Sequence, residues 1–383
     1  MQFFSSNFKL GILGGGQLGK MILFDAKRYD VFTKVMDPDK NSPCRKLADE
    51  FVVGDFTNYD DVLKFGQDLD LITVEIEKIN TDALHSLENM GKKVYPSAKT
   101  LKIIQNKATQ KEFYKKNGLP TSNFKKYADI NRLKKDIVSN NIELPAVWKS
   151  SNFGYDGKGV KVINSINDID SLVDTECILE EKVNIKKEIS VIVSRNVAGD
   201  IESFPVVEME FNKLSNLVEY VICPAKISRD LEKKALKIAE TVAKKFEIVG
   251  LLAVELFLTE HGKILINEVA PRPHNSGHHT IECCKTSQFD QHLRCILDLP
   301  LGDTSLLIPG IMVNLVGENK IEGNVIYQNI NDIFDISGVN VHIYGKKKSR
   351  LNRKMGHITI VNDNLDNAIK IGKKIKKKIK VYS

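Results

Sequence analysis

Two glutamates interrupt a stretch that is otherwise built to be apolar. Residues 251–269 read LLAVELFLTEHGKILINEV, two β-rich runs around Glu260-His261-Gly262-Lys263, a hairpin turn. A two-residue His261-Gly262 loop pairs Glu260 with Lys263, Leu258 with Leu265 and Phe257 with Ile266, and it sets Glu255 opposite Glu268. Directly opposed side chains have Cβ atoms ~5 Å apart, where like charges repel. Such carboxylates must protonate, splay into water or share a cation, and a hard, oxygen-ligated Mg²⁺ carrying nucleotide phosphates satisfies both.

The loop that follows, Ala270-Pro271-Arg272-Pro273-His274-Asn275-Ser276-Gly277-His278-His279, is stiffened by two prolines and rich in polar side chains. After a metal site it reads as a substrate cradle. Zinc on His274, His278 and His279 is the competing reading, although no Cys or Glu stands at a spacing that completes it. Upstream, residues 145–149 form a strand ending in Lys149. A glycine flap follows, Gly154-Tyr155-Asp156-Gly157-Lys158-Gly159, whose amides suit phosphates, with Lys149 and Lys158 as cations. It is not a GxxxxGK[ST] loop, and a plain hairpin connection would also favour glycines. Residues 178–183 read as a strand with an acidic end.

Gly14-Gly15-Gly16-Gln17-Leu18-Gly19 matches GxGxxG between a strand and a helix, with Asp37 where a ribose ligand would stand in an NAD-dependent oxidoreductase. The physical content is narrower: a tight turn aims amides and a helix N-terminus at some anion.

The elements that must position these residues are legible from periodicity. Residues 1–105 alternate strands (8–13, 32–36, 51–53, 71–76) with helical patterns such as 17–28, an N-terminal Rossmann-like parallel α/β domain. Residues 106–311 hold helices near 108–117, 130–139, 231–245 and 286–297 between strands, with a lid subdomain at about 118–185. Residues 312–383 form a small β-rich domain with one last helix.

Among 383 residues, 42% are hydrophobic and 27% charged, ordinary for a globular cytoplasmic protein, and no apolar run is long enough for a membrane span. Cys44, Cys177, Cys223, Cys283, Cys284 and Cys295 form no CxxC pair and suit buried packing under reducing conditions. The net charge of +7 favours phosphate-bearing partners. The lysines of 373–380 alternate with Ile371, Ile375 and Ile379, a helix with one packed edge and a solvated basic face rather than a nucleic-acid surface.

In this order the features resemble the ATP-grasp superfamily, and within it the 5-(carboxyamino)imidazole ribonucleotide synthase family. The strings that carry the likeness are GGGQLG at 14–19, TVEIE at 73–77, GYDGKG at 154–159, NEVAPRPHNSGHHT at 267–280, SQFDQHLRCILDLPLG at 287–302 and RKMGHI at 353–358. The resemblance implies an ATP-dependent carbon–nitrogen ligase of purine biosynthesis, commonly a homodimer. It carboxylates 5-aminoimidazole ribonucleotide with bicarbonate through carboxyphosphate, leaving ADP and phosphate. By similarity, ATP contacts fall on Lys107, Lys149, Gly154, Tyr155, Asp156, Gly157, Lys158, Gly159, Val160, Glu180, Glu181, Val183, Glu188, Glu208, Asn267 and Glu268. Glu255 and Glu268 hold Mg²⁺, two ions arriving with ATP. Substrate contacts fall on Gln17, Leu18, Glu75, Tyr155, Asp156, Arg272, His274, Asn275 and Ser276, with Lys346, Arg353 and Lys354 on the ribose phosphate. Lys149, Asp156, Arg272 and His274 are the expected catalytic groups. Phe153 stands where the family usually has glycine, which bears on the flap. The nearest rival enzyme, formate-dependent glycinamide ribonucleotide transformylase, tends to carry Asp-Thr in place of Asn275-Ser276.

Overall fold

A computed structural model describes residues 3, 5–139, 141–152 and 159–383. The expected flap residues Gly154, Tyr155, Asp156, Gly157 and Lys158, and Phe153 before them, lie outside the described residues.

Strands β1 (Lys9–Leu13), β2 (Phe32–Asp37), β3 (Glu50–Val53), β4 (Leu71–Val74) and β5 (Lys93–Tyr95) form a parallel sheet in the order β3-β2-β1-β4-β5. The near-continuous burial of the three inner strands, β2, β1 and β4, is what a sheet covered on both faces requires. The helix Gln17–Arg28 follows β1 directly and packs Leu18, Met21, Ile22 and Ala26 into one of the flanking cores.

A second sheet, β6-β9-β7-β8, is built from β6 (Phe124–Tyr127), β7 (Ala146–Ser150), β8 (Val160–Ile163) and β9 (Cys177–Glu181). It faces a nine-stranded sheet that begins with β10 (Ile185–Arg195), β11 (Ile201–Ser203), β12 (Val207–Phe211), β13 (Val218–Cys223), β14 (Gly250–Thr259), β15 (Ile264–Ala270) and β16 (Gly310–Val316). The order is β15-β14-β10-β12-β13-β16, then the strands Lys354–Val361 and Val339–Ile343, with β11 on the far end of β10. One sheet therefore runs from the glutamate-bearing hairpin of β14 and β15 into the C-terminal strands.

On one face of this sheet, Ile189, Val191, Val254 and Leu256 pack against the helix Arg229–Phe246, whose apolar face carries Ala235, Ala239 and Val242. The opposite face of β10 and β14 carries the polar residues. The helix Gln288–Ile296 joins the parts: Phe289, Leu293 and Ile296 enter the core formed with β1 and the helix Gln17–Arg28. The helix Leu365–Lys378 buries Ile375 as its periodicity requires, while Lys373, Lys376 and Lys378 pair with Glu210, Glu219 and Asp332.

All six cysteines are buried and unpaired. No helix among the described residues is long and apolar enough to cross a membrane.

Candidate active site

Glu255 and Glu268 do face each other across β14 and β15, but by a different route from the expected one. Thr259 N–H donates to the Lys263 carbonyl at 2.9 Å, and Gly262, at φ +75°, closes a three-residue loop, Glu260-His261-Gly262. The expected pairs Glu260–Lys263, Leu258–Leu265 and Phe257–Ile266 are therefore wrong: Leu258 meets Ile264, Phe257 meets Leu265 and Leu256 meets Ile266. A bulge at Asn267 absorbs the extra residue and restores the Glu255–Glu268 pair. Bulges re-aim side chains, and Asn267 Oδ1 accepts from Lys149 Nζ at 2.9 Å.

Lys149, the penultimate residue of β7, also lies 3.2 Å from Glu180 Oε1 on β9. Lys107 opens the helix Lys107–Lys116, where Asn106 caps the Thr109 amide. A cation there opposes the helix dipole. Its compensation is an ion pair with Glu268. Burial works against the Lys107 charge, but Glu268, Glu180 and Glu255 outweigh it and hold the ammonium above its usual range. In turn Lys107 holds the Glu268 carboxyl well below the usual range. Burial, with Glu268 and Glu188 nearby, pushes Glu255 the opposite way. Burial also pushes Glu188, on the same face of β10, up to about 7.

One residue of this cluster was invisible to motif reading. Lys111, one turn after Lys107, is 2% exposed and lies 3.2 Å from Glu180 Oε1. It donates to Thr121 Oγ1 at 2.6 Å and Ser122 Oγ at 3.1 Å. Burial brings its pKa down to about 8. Despite its own burial, Glu180 is kept low by Lys149, Lys111 and Ser122. The Lys107–Lys111 spacing of four was the available signal.

His274 Nε2 lies 3.5 Å from Glu255 Oε1, and Ser276 Oγ sits 2.9 Å from both His274 Nδ1 and Ser190 Oγ. Arg272 pairs with Glu77 at 2.6 Å, tying the cradle to the N-terminal unit. Lys354 is close enough to act electrostatically on Glu255, so the C-terminal strand borders the same space. Lys346 donates to the Lys354 carbonyl at 2.8 Å, and Arg353 to the Lys348 carbonyl at 2.8 Å.

Several expected contacts are placed otherwise. Glu208 lies in register with Ile189 of β10, on the face opposite Glu188, and pairs with Lys187 at 2.5 Å. Asn275 is committed to a reciprocal amide pair with Asn314, at 2.9 and 2.8 Å. The side chain of Leu18 belongs to the core, which leaves only its backbone for a ligand, and Gln17 starts the helix beside it. Glu181, exposed, accepts from Asn123. Val183 lies half-buried beyond it, Gly159 precedes β8 and Val160 is the first residue of that strand.

The four glycine amides of the turn are already occupied. Gly15 N–H donates to Asp37 at 2.7 Å, and Gly16 and Gly19 donate to Glu75 at 3.0 and 3.2 Å. Gly14 N–H donates to the Met36 carbonyl. Asp37 thus caps the turn instead of waiting for a ribose, which overturns the NAD reading. The zinc reading fails as well: His279 Nδ1 meets the Ser276 carbonyl, His278 Nδ1 meets Gln288, and no group of three or more His, Cys, Asp or Glu poised for a metal occurs among the described residues.

A lysine-ended strand facing a carboxylate pair between two sheets, after a parallel α/β unit, defines an ATP-grasp enzyme, an ATP-dependent ligase. The chain matches the ATP-grasp domain over residues 112–289, the ribonucleotide synthetase preATP-grasp domain over 8–105 and the phosphoribosylaminoimidazole carboxylase C-terminal domain over 310–371. It is 40% identical to N5-carboxyaminoimidazole ribonucleotide synthase of Bacillus subtilis, covering 92% of this chain and 91% of that one. The chain belongs to the N5-carboxyaminoimidazole ribonucleotide synthase family. The crystal structure of the Thermotoga maritima synthetase superposes with a TM-score of 0.90 at 41% identity, covering 98% and 99% of the two chains. An Aspergillus clavatus synthase solved with ADP and 5-aminoimidazole ribonucleotide gives 0.85 at 32% identity, covering 95% and 96%. The match to the chloroplastic phosphoribosylaminoimidazole carboxylase of Vigna aconitifolia is 39% identical and covers 93% of this chain but 64% of that longer protein.

Proposed function

We propose that this chain uses ATP and bicarbonate to carboxylate the exocyclic amine of 5-aminoimidazole ribonucleotide, giving N5-carboxyaminoimidazole ribonucleotide, ADP and phosphate through carboxyphosphate. The observation that carries the reading is one chain of contacts, from Lys149 through Asn267 and Glu268 to Glu255 and His274, linking a phosphate-handling strand to the substrate cradle.

Phosphoryl transfer is mainly positioning and charge neutralisation, and Lys107 on Glu268 and Lys149 on the adjacent Asn267 supply fixed cations beside the carboxylate pair. Glu255, Glu268 and Asn267 form a hard oxygen donor set suited to Mg²⁺. When bound, the two ions would neutralise the triphosphate. Glu180, Glu181, Val183 and Glu188 border the nucleotide in this reading, with Gly154–Val160 as its flap. Arg272 and His274 orient the reacting carboxyl and amine, Asp156 joins them, and Glu75 and the turn at Gln17 hold the imidazole end. Lys346, Arg353 and Lys354 take the ribose phosphate. The same reading includes the division into 1–105, 106–311 and 312–383, a homodimer and a cytoplasmic location; the buried, unpaired cysteines support the last.

The test is phosphate release from Mg-ATP in bicarbonate buffer with and without 5-aminoimidazole ribonucleotide. Release that depends on that nucleotide and on bicarbonate is expected. Release that requires formate and glycinamide ribonucleotide instead would reverse the assignment.

A further inference from the structure

The motif SQFDQH at 287–292 supplies none of the phosphate or carboxylate groups of the site, yet its first four polar side chains all bond outwards from the helix Gln288–Ile296. Ser287 caps the helix through the Asp290 amide and donates to Asp25. Gln291 donates to Ser194 Oγ and the Gly302 carbonyl while accepting from the Gly302 amide. Asp290 binds Tyr29 and Arg294. Gln288 alone turns to the substrate cradle.

Its side-chain amide behaves as a strand edge for one residue. Gln288 Oε1 accepts from His274 N–H at 2.9 Å, and Nε2 donates to the His274 carbonyl at 2.9 Å. The same Nε2 lies 3.0 Å from His278 Nδ1. Both peptide groups of His274 are therefore held by one side chain that is 0% exposed. The approach is close enough to dictate the neighbouring residue: a Cβ on Gly277 would stand 2.4 Å from Gln288 Oε1. Held this way, the His274 imidazole bridges Ser276 Oγ at 2.9 Å and Glu255 at 3.5 Å.

We infer that Gln288 is a positioning residue for the proposed carboxylation: its amide fixes the backbone of His274, and through it the imidazole, against Glu255. The inference rests on the reading of the site given above. A glutamine serves here because only an amide presents a donor and an acceptor side by side; glutamate would set a carboxylate oxygen against the His274 carbonyl. Misplacement of a reacting group by about 1 Å costs on the order of 10²-fold in rate.

The experiment compares Gln288→Met and Gln288→Glu with Gln291→Met, a substitution on the same helix at an equally buried glutamine whose partners lie on Ser194 and Gly302. Steady-state kinetics are measured separately for 5-aminoimidazole ribonucleotide and for Mg-ATP, alongside thermal unfolding. Both Gln288 variants are expected to lose about 10- to 100-fold in kcat/KM for the ribonucleotide, with KM for ATP within about threefold of the parent. Gln291→Met is expected to lower the unfolding temperature while keeping the parent's selectivity between the two substrates. Equal losses in the two positions, or a matching rise in KM for ATP in the Gln288 variants, would overturn the positioning role. Should Gln288→Met not fold, Gln288→Glu with parental kinetics overturns it just as well. A parent enzyme inert toward the ribonucleotide would instead overturn the functional reading, and this role with it.

Discussion

Glu255 and Glu268 form one register pair, yet Lys107 bonds only Glu268. The two carboxyls therefore sit in opposite electrostatic states, and removing either charge should have opposite consequences for stability. With Glu255 pushed up by burial and its neighbours, Glu255→Gln swaps a largely neutral group for another and should leave the metal-free protein equally stable or slightly more so. Glu268→Gln strips Lys107 of its partner and should cost about 1 kcal/mol, a figure kept small because the Glu268 side chain is 42% exposed. Both should reduce ATP-dependent phosphate release by at least about 100-fold. Thermal unfolding without divalent ions, beside the phosphate assay, checks the pair; matching stability losses would refute the asymmetry.

Lys111 and Glu180, 2% and 3% exposed, should prove strongly coupled. Lys111→Met leaves a buried carboxylate with Lys149 as its remaining ion-pair partner among the described residues and should cost about 3 kcal/mol, the low end for breaking a buried pair. In a Glu180→Gln background the same change should cost at least about 1 kcal/mol less. A denaturant double-mutant cycle measures the coupling, and additivity would show that the contact is energetically idle.

Acid should unfold the protein in part through its buried histidines. Burial takes the pKa of His292 down to about 3 and that of His279 to about 4. Below pH 6.5 the unfolded chain takes up a proton at each that the folded chain refuses, so stability falls as pH falls, by about 1.4 kcal/mol per unit per group down to the folded pKa. Above pH 7 neither contributes. Denaturation midpoints at pH 7, 6 and 5 should decline less steeply in His292→Gln by one proton's worth; parallel curves would exclude His292 as a source.

The glycine turn should be intolerant of Cβ and indifferent to NADH. Gly14 has φ +99°, and a Cβ there would stand 2.5 Å from Glu75 Cγ. Gly14→Ala should destabilise by about 2 kcal/mol or more. Titration with NADH followed by fluorescence should show no saturable binding, since Asp37 and Glu75 already occupy the amides; a clear isotherm would contradict that account.

Much of this molecule is written locally. The β1–helix–β2 start, the helices at 107–116, 130–138, 229–246 and 365–378 and the apolar hairpin around two glutamates all follow from periodicity, caps and turn residues, because each depends on neighbours a few positions away. The family resemblance added Lys107 and the expected ribose-phosphate groups Lys346, Arg353 and Lys354. Other features became visible only in three dimensions. The Glu255–Glu268 pair depends on a three-residue turn and a compensating bulge at Asn267, and neither changes the hydrophobic pattern that sets a strand's face. The capping of GGGQLG by Asp37 and Glu75, the insertion of Lys111 beneath Glu180 and the grip of Gln288 on His274 join residues 14 to 69 positions apart in sequence, where satisfaction of buried polar groups rather than local propensity selects the partner.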